Sequence, residues 1–519
     1  LNNYFFNFSD MDLSGMITEM KFEFPVSSGA AYINEISFER EDPIYDYAAE
    51  RYSLTANKDK QTVTFEGKLK KEYADKQVTL YTTDVCNIFE SLDFSEDYMM
   101  SYIARTQADE NGNFSVSFPL YSGDYCHLTS LFIAAVDGVK LSKTFNIENW
   151  KDFVENPYAF DLPSLTVKVT DAPFNAKGDG FTNDNDAIQA AIDYVAAQGG
   201  GKVVVTGNND VYGKRYIVTN LEVKSNVELH LEEGAVLWQS AKVSDYKYDV
   251  VLGHNVVNSG IMWNSANNKN RPLVLFRNVT NAKLTGKGTI RMEDNGSIET
   301  NPLKLIDPNY SAACSHTIHL SPVFVSQSKN IELTDFTIMR AQNWHITTNL
   351  AENLFVGGVT LKQPTDSNSD GIGLTNAKNV LLACNRLFGN DDAITLNSVY
   401  LDPRKSYDWN KPDVDGTRGT SNVEIAFNQL RGGLGMVFCV WASNHSDSSV
   451  MATKNIVAYN NYIGGTGQDI GAWVDNPFYG TSKGSSYDVW NGEGDDYSVI
   501  QDVYLFNNIY WHGTKTVAL

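Results

Sequence analysis

The sequence predicts an all-β protein, a right-handed parallel β-helix preceded by small β-sandwich domains. Three observations carry that expectation. In the second half, an Asn or Asp repeatedly heads a short strand of alternating apolar residues, and the shortest intervals lie in the twenties. Short strands at such a period, with turn residues between them, mark a β-solenoid. Before residue 160 the pattern alternates with period two between Gly- and Asp-rich turns, as in half-buried antiparallel strands. Finally, 519 residues are too many for one ordinary compact domain, so two or three domains or an elongated repeat are expected.

Residues 1–55 read as a β-rich segment, a partial sandwich or jelly roll, from alternations such as Lys21-Phe22-Glu23-Phe24 and those of residues 31–38. Residues 56–160 read as an immunoglobulin-like sandwich. Residues 62–67, 77–81 and 113–118 each alternate, and Asp109-Glu110-Asn111-Gly112-Asn113 supplies a turn before the third. Neither part clusters titratable groups, so both are expected to be structural and dispensable for chemistry.

The third part, residues 161–519, opens on a Gly- and Asp-rich lead-in at residues 171–180. A helix follows over residues 185–195, with Ile188, Ile192 and Val195 on one face. Asp184 or Asn185 can cap it, and Gly199-Gly200-Gly201 ends it. Lys202-Val203-Val204-Val205 is then a buried strand. The repeat heads are Asn226, Asn281, Asn330, Asn353, Asn379, Asn422, Asn455 and Asp502. Twenty-three residues separate Asn330 from Asn353, and twenty-six separate Asn353 from Asn379. The forty-three from Asn379 to Asn422 read as one turn carrying an inserted loop. Leucine-rich repeats share this period, but their Leu-x-x-Leu-x-Leu pattern is absent.

A hydrophobic content of 42% marks a well-packed globular chain. The formal net charge of −22 argues against nucleic acid, an anionic membrane surface and, more weakly, a polyanionic substrate. Five cysteines (Cys86, Cys126, Cys314, Cys384, Cys439) form neither a metal-like spacing nor a disulfide framework. Only Cys86 and Cys126 could pair within one small domain. No cofactor or metal is expected, and no apolar run reaches membrane-spanning length. The chain starts Leu1-Asn2-Asn3, with neither Met nor a signal peptide. It reads as a processed or trimmed product, with a secreted or cell-surface, bacterial-type extracellular location expected.

Chemistry concentrates at Gly389-Asn390-Asp391-Asp392 and, twenty-one residues upstream of Asp391, at Asn368-Ser369-Asp370-Gly371. Adjacent carboxylates raise one another's pKa, and a carboxyl still protonated near neutrality can act as a general acid. Residues one coil apart in a β-helix stack about 4.8 Å apart. Asp370 and Asp391 should therefore emerge on one face in neighbouring coils. Asp391 and Asp392 would normally point to opposite faces, so a bend or bulge at Gly389-Asn390 is required to bring both into one cleft. Each motif alone could be an ordinary solenoid turn; the two together point to a carboxylate site. An inverting glycosidase needs its acid and base about 6.5–9.5 Å apart, with room for a water.

From about residue 168 to 515 the sequence resembles glycoside hydrolase family 28, the polygalacturonase family, and its clan. The resemblance runs through Gly178-Asp179-Gly180 with Asn185-Asp186-Ala187-Ile188-Gln189, then Ser225-Asn226-Val227-Glu228-Leu229 and Gly234-Ala235-Val236-Leu237, then Asn343-Trp344-His345. The family's Asn-Thr-Asp stands here as Asn368-Ser369-Asp370, and its Gly-Asp-Asp as Asn390-Asp391-Asp392. By that resemblance Asp391 is the general acid, while Asp370 and Asp392 hold and activate the water. Asn368, Asn390, Trp344 and His345 are expected to bind substrate.

Two departures stand out. The family's Gly-His-Gly is replaced by Gly433-Leu434-Gly435, with His445 ten residues beyond. Its Arg-x-Lys, which grips a uronate carboxylate, is missing from Asp469-Ile470-Gly471-Ala472-Trp473-Val474-Asp475-Asn476. Without that cation a uronate lacks its charge-assisted partner, and Trp441 and Trp473 would suit stacking on a neutral sugar. The clan's family 49 dextranases and family 87 α-1,3-glucanases keep three aspartates without the uronate grip. The expected substrate is therefore a neutral α-linked glycan, with galacturonan as the alternative. The rival classes are a polysaccharide lyase, which needs a metal or a base such as Arg386 or Arg431 beside a uronate, and a non-catalytic glycan-binding solenoid. Inserted stretches at residues 399–420 and 475–496 are expected to wall the groove.

Overall fold

The computed structural model describes residues 47–83, 85, 100–123, 125–208, 213–240, 245, 257–258, 261–262, 272–292, 321–341, 344–364, 369–398, 419–432, 438–442, 452–464, 478–480 and 499–511. By its contacts the chain divides into Leu1–Pro43 and Ile44–Leu519, and only the second contains described residues. Most of the β-rich segment expected over residues 1–55 thus lies outside them, as do the two expected groove walls apart from a few residues at their edges.

Among the described residues, residues 49–140 form a two-stranded antiparallel sheet, Tyr121–Ser122 with Tyr125–Cys126, and two larger ones. Ala49–Asn57, Thr62–Leu69 and Asn113–Pro119 make one; Met100–Gln107, Gln77–Thr83, Leu131–Val136 and Val139–Lys140 make the other. The first strand crosses the expected limit at residue 55 because it pairs along its length with Thr62–Leu69. Period-two alternation sends Val63 and Phe65 inward while Glu66 stays exposed. Phe65 and Phe145 stack in the interior at 5.3 Å. Cys126 is a free, buried thiol, and Cys86, the one partner the sequence allowed it, lies outside the described residues.

From Thr166 to Trp511 the chain winds through three parallel sheets of ten, ten and eight described strands, always in sequence order. One coil contributes Glu352–Gly357 to the first sheet and Thr360–Lys362 to the second, and Ile372–Thr375 then enters the third. Each strand regains its own sheet by a crossover through the other two, and such parallel crossovers are right-handed. Leu354, Val356, Leu361, Ile372 and Leu374 point inward and are fully buried in one continuous core. The helix Asn185–Ala197 adds Ile188, Ile192 and Val195 to the N-terminal end of that core. Asp184 stands at the N-cap position, but neither expected side chain caps the helix. The Asp184 carboxylate instead accepts from the N–H groups of Lys177 and Gly178, and Asn185 Oδ1 accepts from those of Thr219 and Asn220. No helix among the described residues is long and apolar enough to cross a membrane.

The repeat heads have a physical identity. Asn226, Asn281, Asn330, Asn353, Asn379, Asn422, Asn455 and Asp502 all adopt left-handed backbone, with φ between 55° and 61°. Asn tolerates this conformation better than most side chains. Each amide from Asn281 to Asn455 donates through Nδ2 to the Oδ1 of the head one coil before it, at 2.8–3.3 Å. A second ladder, Asn385–Asn428–Asn461–Asn508, lies six residues after the heads of its coils and is joined at 2.9–3.0 Å. Its signal was present in the sequence as an Asn at that fixed offset.

The sandwich is docked onto the outside of the first sheet. Trp150 lies against the backbones of Gly357 and Gly358, and its indole N–H donates to Asp335 Oδ1 at 2.9 Å. Phe355, Leu381, Ala383 and Cys384 belong to the same apolar cluster as the sandwich core. Arg386, almost fully buried, donates to the carbonyls of Ser130 and Leu128, and the Gln429 amide accepts from Val85 N–H.

Candidate active site

The third sheet carries the carboxylates. Ile372–Thr375 pairs with Ile394–Ser398 in the register Ile372↔Ile394, a step of twenty-two residues. Asp392, rather than Asp391, therefore continues the line of Asp370. The Ser369 carbonyl accepts from Asn390 N–H at 2.8 Å, and Gly371 N–H donates to the Asp392 carbonyl at 2.8 Å. In a regular parallel ladder one residue would supply both of those groups; here Asn390, Asp391 and Asp392 together stand opposite Asp370. The result is a bulge at the position the two adjacent carboxylates required. Gly389 makes it possible, because a Cβ there would meet the Asp392 carbonyl oxygen at 2.0 Å.

The three carboxyls share one electrostatic environment. Asp370 is 1% exposed, while Asp391 and Asp392 are half-buried. Burial holds the Asp370 carboxyl well above the usual aspartate range, and the charges of Asp391 and Asp392 push it further. Burial raises Asp391 to about 6. The Asp370 oxygens are not equivalent. Oδ2 accepts from the Thr395 hydroxyl at 2.9 Å, whereas Oδ1 accepts no hydrogen bond from any other described residue. Thr395 carried no signal in the sequence, since its contact with Asp370 exists only across two coils.

Trp344 and His345, expected to meet substrate, are fully buried and offer a ligand no surface. The Trp344 ring covers the backbone of Gly373, where a Cβ would come within 2.1 Å of it. His345 grips the Asp370 carbonyl twice, through its backbone N–H at 2.9 Å and through Nδ1 at 2.8 Å. A carbonyl only accepts, so Nδ1 carries the proton. Burial lowers this imidazole to about 4, which keeps it neutral. Both residues support the Asp370 strand from the preceding coil.

Asn390 is half-buried within the bulge, and its backbone N–H helps to form it. Trp441 is placed by its backbone in register with Asn397, on the coil after the aspartates. Asn368, Trp473, His445, Gly433-Leu434-Gly435 and residues 469–476 lie outside the described residues. Of the two arginines considered as bases, Arg386 is committed to the sandwich interface. Arg431 is fully buried on the second sheet, with its guanidinium 5.8 Å from the Tyr462 ring centre.

The sequence pattern of "Glycosyl hydrolases family 28" matches residues 241–467, a stretch that contains all three aspartates. An exo-poly-alpha-D-galacturonosidase of Dickeya chrysanthemi is 22% identical over 65% of this chain and 59% of its own length. A polygalacturonase of Malus domestica is 24% identical over 57% of each chain. The match therefore spans a little under three-fifths of these relatives. The structure of a family 28 exopolygalacturonase of Yersinia enterocolitica superposes with a TM-score of 0.48 at 16% identity, covering 91% of this chain and 81% of the other. The resemblance read from the Asp370 and Asp391-Asp392 motifs thus stands: this chain resembles the glycosyl hydrolases of family 28.

Proposed function

We propose that the chain is an inverting glycoside hydrolase acting on an α-linked polysaccharide. The observation that carries this reading is the bulge that sets Asp391 and Asp392 against Asp370, with Asp391 raised to about 6. Asp391 is the general acid that protonates the leaving oxygen. Asp370 and Asp392 hold and activate the water that attacks from the opposite face. Because the three charges interact, the cluster titrates as a set, and its apparent pKa values belong to the set rather than to single residues.

Polygalacturonan is the first substrate to test, because the relatives described above are named for it. The neutral α-glucan expected from the sequence gains no support from them. It rests on the missing histidine at Gly433-Leu434-Gly435 and the missing Arg-x-Lys, and remains the second reading for that reason. Reducing-end assays on polygalacturonan, dextran and α-1,3-glucan separate the two. NMR of the first product decides the stereochemistry, and a retained anomer would overturn the assigned roles. Ultraviolet absorbance from unsaturated products would instead reveal a lyase. Glycan binding with no new reducing ends would identify a binding solenoid.

A further inference from the structure

Asp370 lies between two donors of different kinds. On one side His345 fixes its backbone carbonyl; on the other the Thr395 hydroxyl fixes one carboxyl oxygen at 2.9 Å. Along the strand from Asp370 towards the level of Thr395, Ile372 turns into the core, and Gly371 and Gly373 have no side chains. Thr395 is paired in register with Gly373 and is 1% exposed, so its hydroxyl is sheltered from bulk water. Oδ1, itself buried, has no donor among the other described residues, in a site that also holds Asp391 and Asp392.

We propose that Thr395 is a positioning residue: by holding Oδ2 it fixes the Asp370 carboxyl rotamer and favours the ionised form of that carboxyl. This rests on the hydrolase reading above and adds a residue to it. Among the described residues, the groups facing Asp370 are neutral His345 from the preceding coil and Asp391, Asp392 and Thr395 from the next. Among these, Thr395 is the hydroxyl donor to the carboxylate, and a donated hydrogen bond favours the ionised form. A base that activates water must be ionised. Thr395 therefore opposes the burial and like charges that would otherwise keep Asp370 protonated.

The test is an infrared titration of the full chain. Asp370→Asn identifies the protonated carboxyl band of the coupled aspartates that depends on Asp370. Thr395→Val keeps the side-chain shape without the donor, and it should raise the midpoint of that band by about one pH unit. Thr395→Ser should retain the wild-type midpoint. On a cleaved substrate, Thr395→Val should lower kcat roughly tenfold with KM little changed, because the contact orients the base rather than the sugar. If the valine variant does not fold, Thr395→Ala carries the same expectation against Thr395→Ser. An unmoved midpoint in a folded valine or alanine variant overturns the proposal. The midpoint requires no substrate, so the outcomes separate: a shifted midpoint in a protein that cleaves no glycan upholds the hold on Asp370 and sinks the hydrolase reading.

Discussion

Asp391, the proposed general acid, still carries a proton near pH 6 because it is buried. Asp391→Asn keeps the shape of the acid but cannot deliver a proton. It should lose about 10²–10⁴-fold in turnover while retaining substrate affinity, and an aryl glycoside with a good leaving group should partly rescue it. Neither Asp370→Asn nor Asp392→Asn should be rescued in this way. With Asp391 as the proposed acid, turnover should fall as pH rises through about 6, and a pH–rate profile checks this. The same shift has a thermodynamic sign. Asp391 binds its proton more tightly folded than unfolded, so its contribution is fully present below the unfolded pKa and is lost as pH rises through about 6. Asp391→Asn should therefore melt higher than the wild type at pH 8, and that gain should vanish at pH 4. The aspartates were legible because Gly-Asn-Asp-Asp is a poor choice for folding alone. The burial of Trp344 and His345 was not, since the same Trp-His pair can line a cleft or support it, and only its packing on Gly373 and Asp370 decides.

At the scale of the element, the Asn heads were legible as a period, although their physical cause was not. A fixed residue at the start of each strand says where coils begin; it does not reveal left-handed backbone or amide stacking. Asn379 bonds to both Asn353 and Asn422, so Asn379→Ala should cost about 2 kcal/mol in denaturant titration. Asn379→Gly loses the same bonds but accepts the backbone at φ 58°, and should cost about 1 kcal/mol less than alanine. The bulge was legible as a requirement, because two neighbouring carboxylates cannot share a cleft on a flat strand. Its two-residue slip, and the consequent alignment of Asp392 with Asp370, needed the register. The helix caps failed because the Asp184 carboxylate is occupied by the lead-in loop.

At the scale of the whole molecule, the sequence distinguished antiparallel from solenoid strands but left their docking into one unit unseen. The contact that matters joins Trp150 to Asp335, residues 185 apart, and nothing local marks either one. The interface bears on the expectation that the sandwich is dispensable for chemistry. A chain beginning near residue 160 would bare Phe355 and Leu381, which now belong to the sandwich's apolar cluster. It should melt lower and bind a hydrophobic dye even where it still turns over soluble substrate. Trp150→Ala, which empties the contact over Gly357 and Gly358, should cost about 3 kcal/mol and leave kcat unchanged. Loss of turnover in a folded Trp150→Ala protein would tie the sandwich to catalysis.

The Asn ladder counts coils and is indifferent to residues. Its hydrogen-bonded neighbours lie 55, 49, 23, 26, 43 and 33 positions apart in the chain, yet every rung closes at nearly the same length. The described rungs keep their spacing whatever length of chain separates them. Such a framework separates inheritance of the scaffold from innovation at its rim: whole loops can be gained, lost or exchanged without renegotiating the interior. For an engineer, the safe graft points are the segments between successive rungs, and the rungs themselves are the part to leave alone.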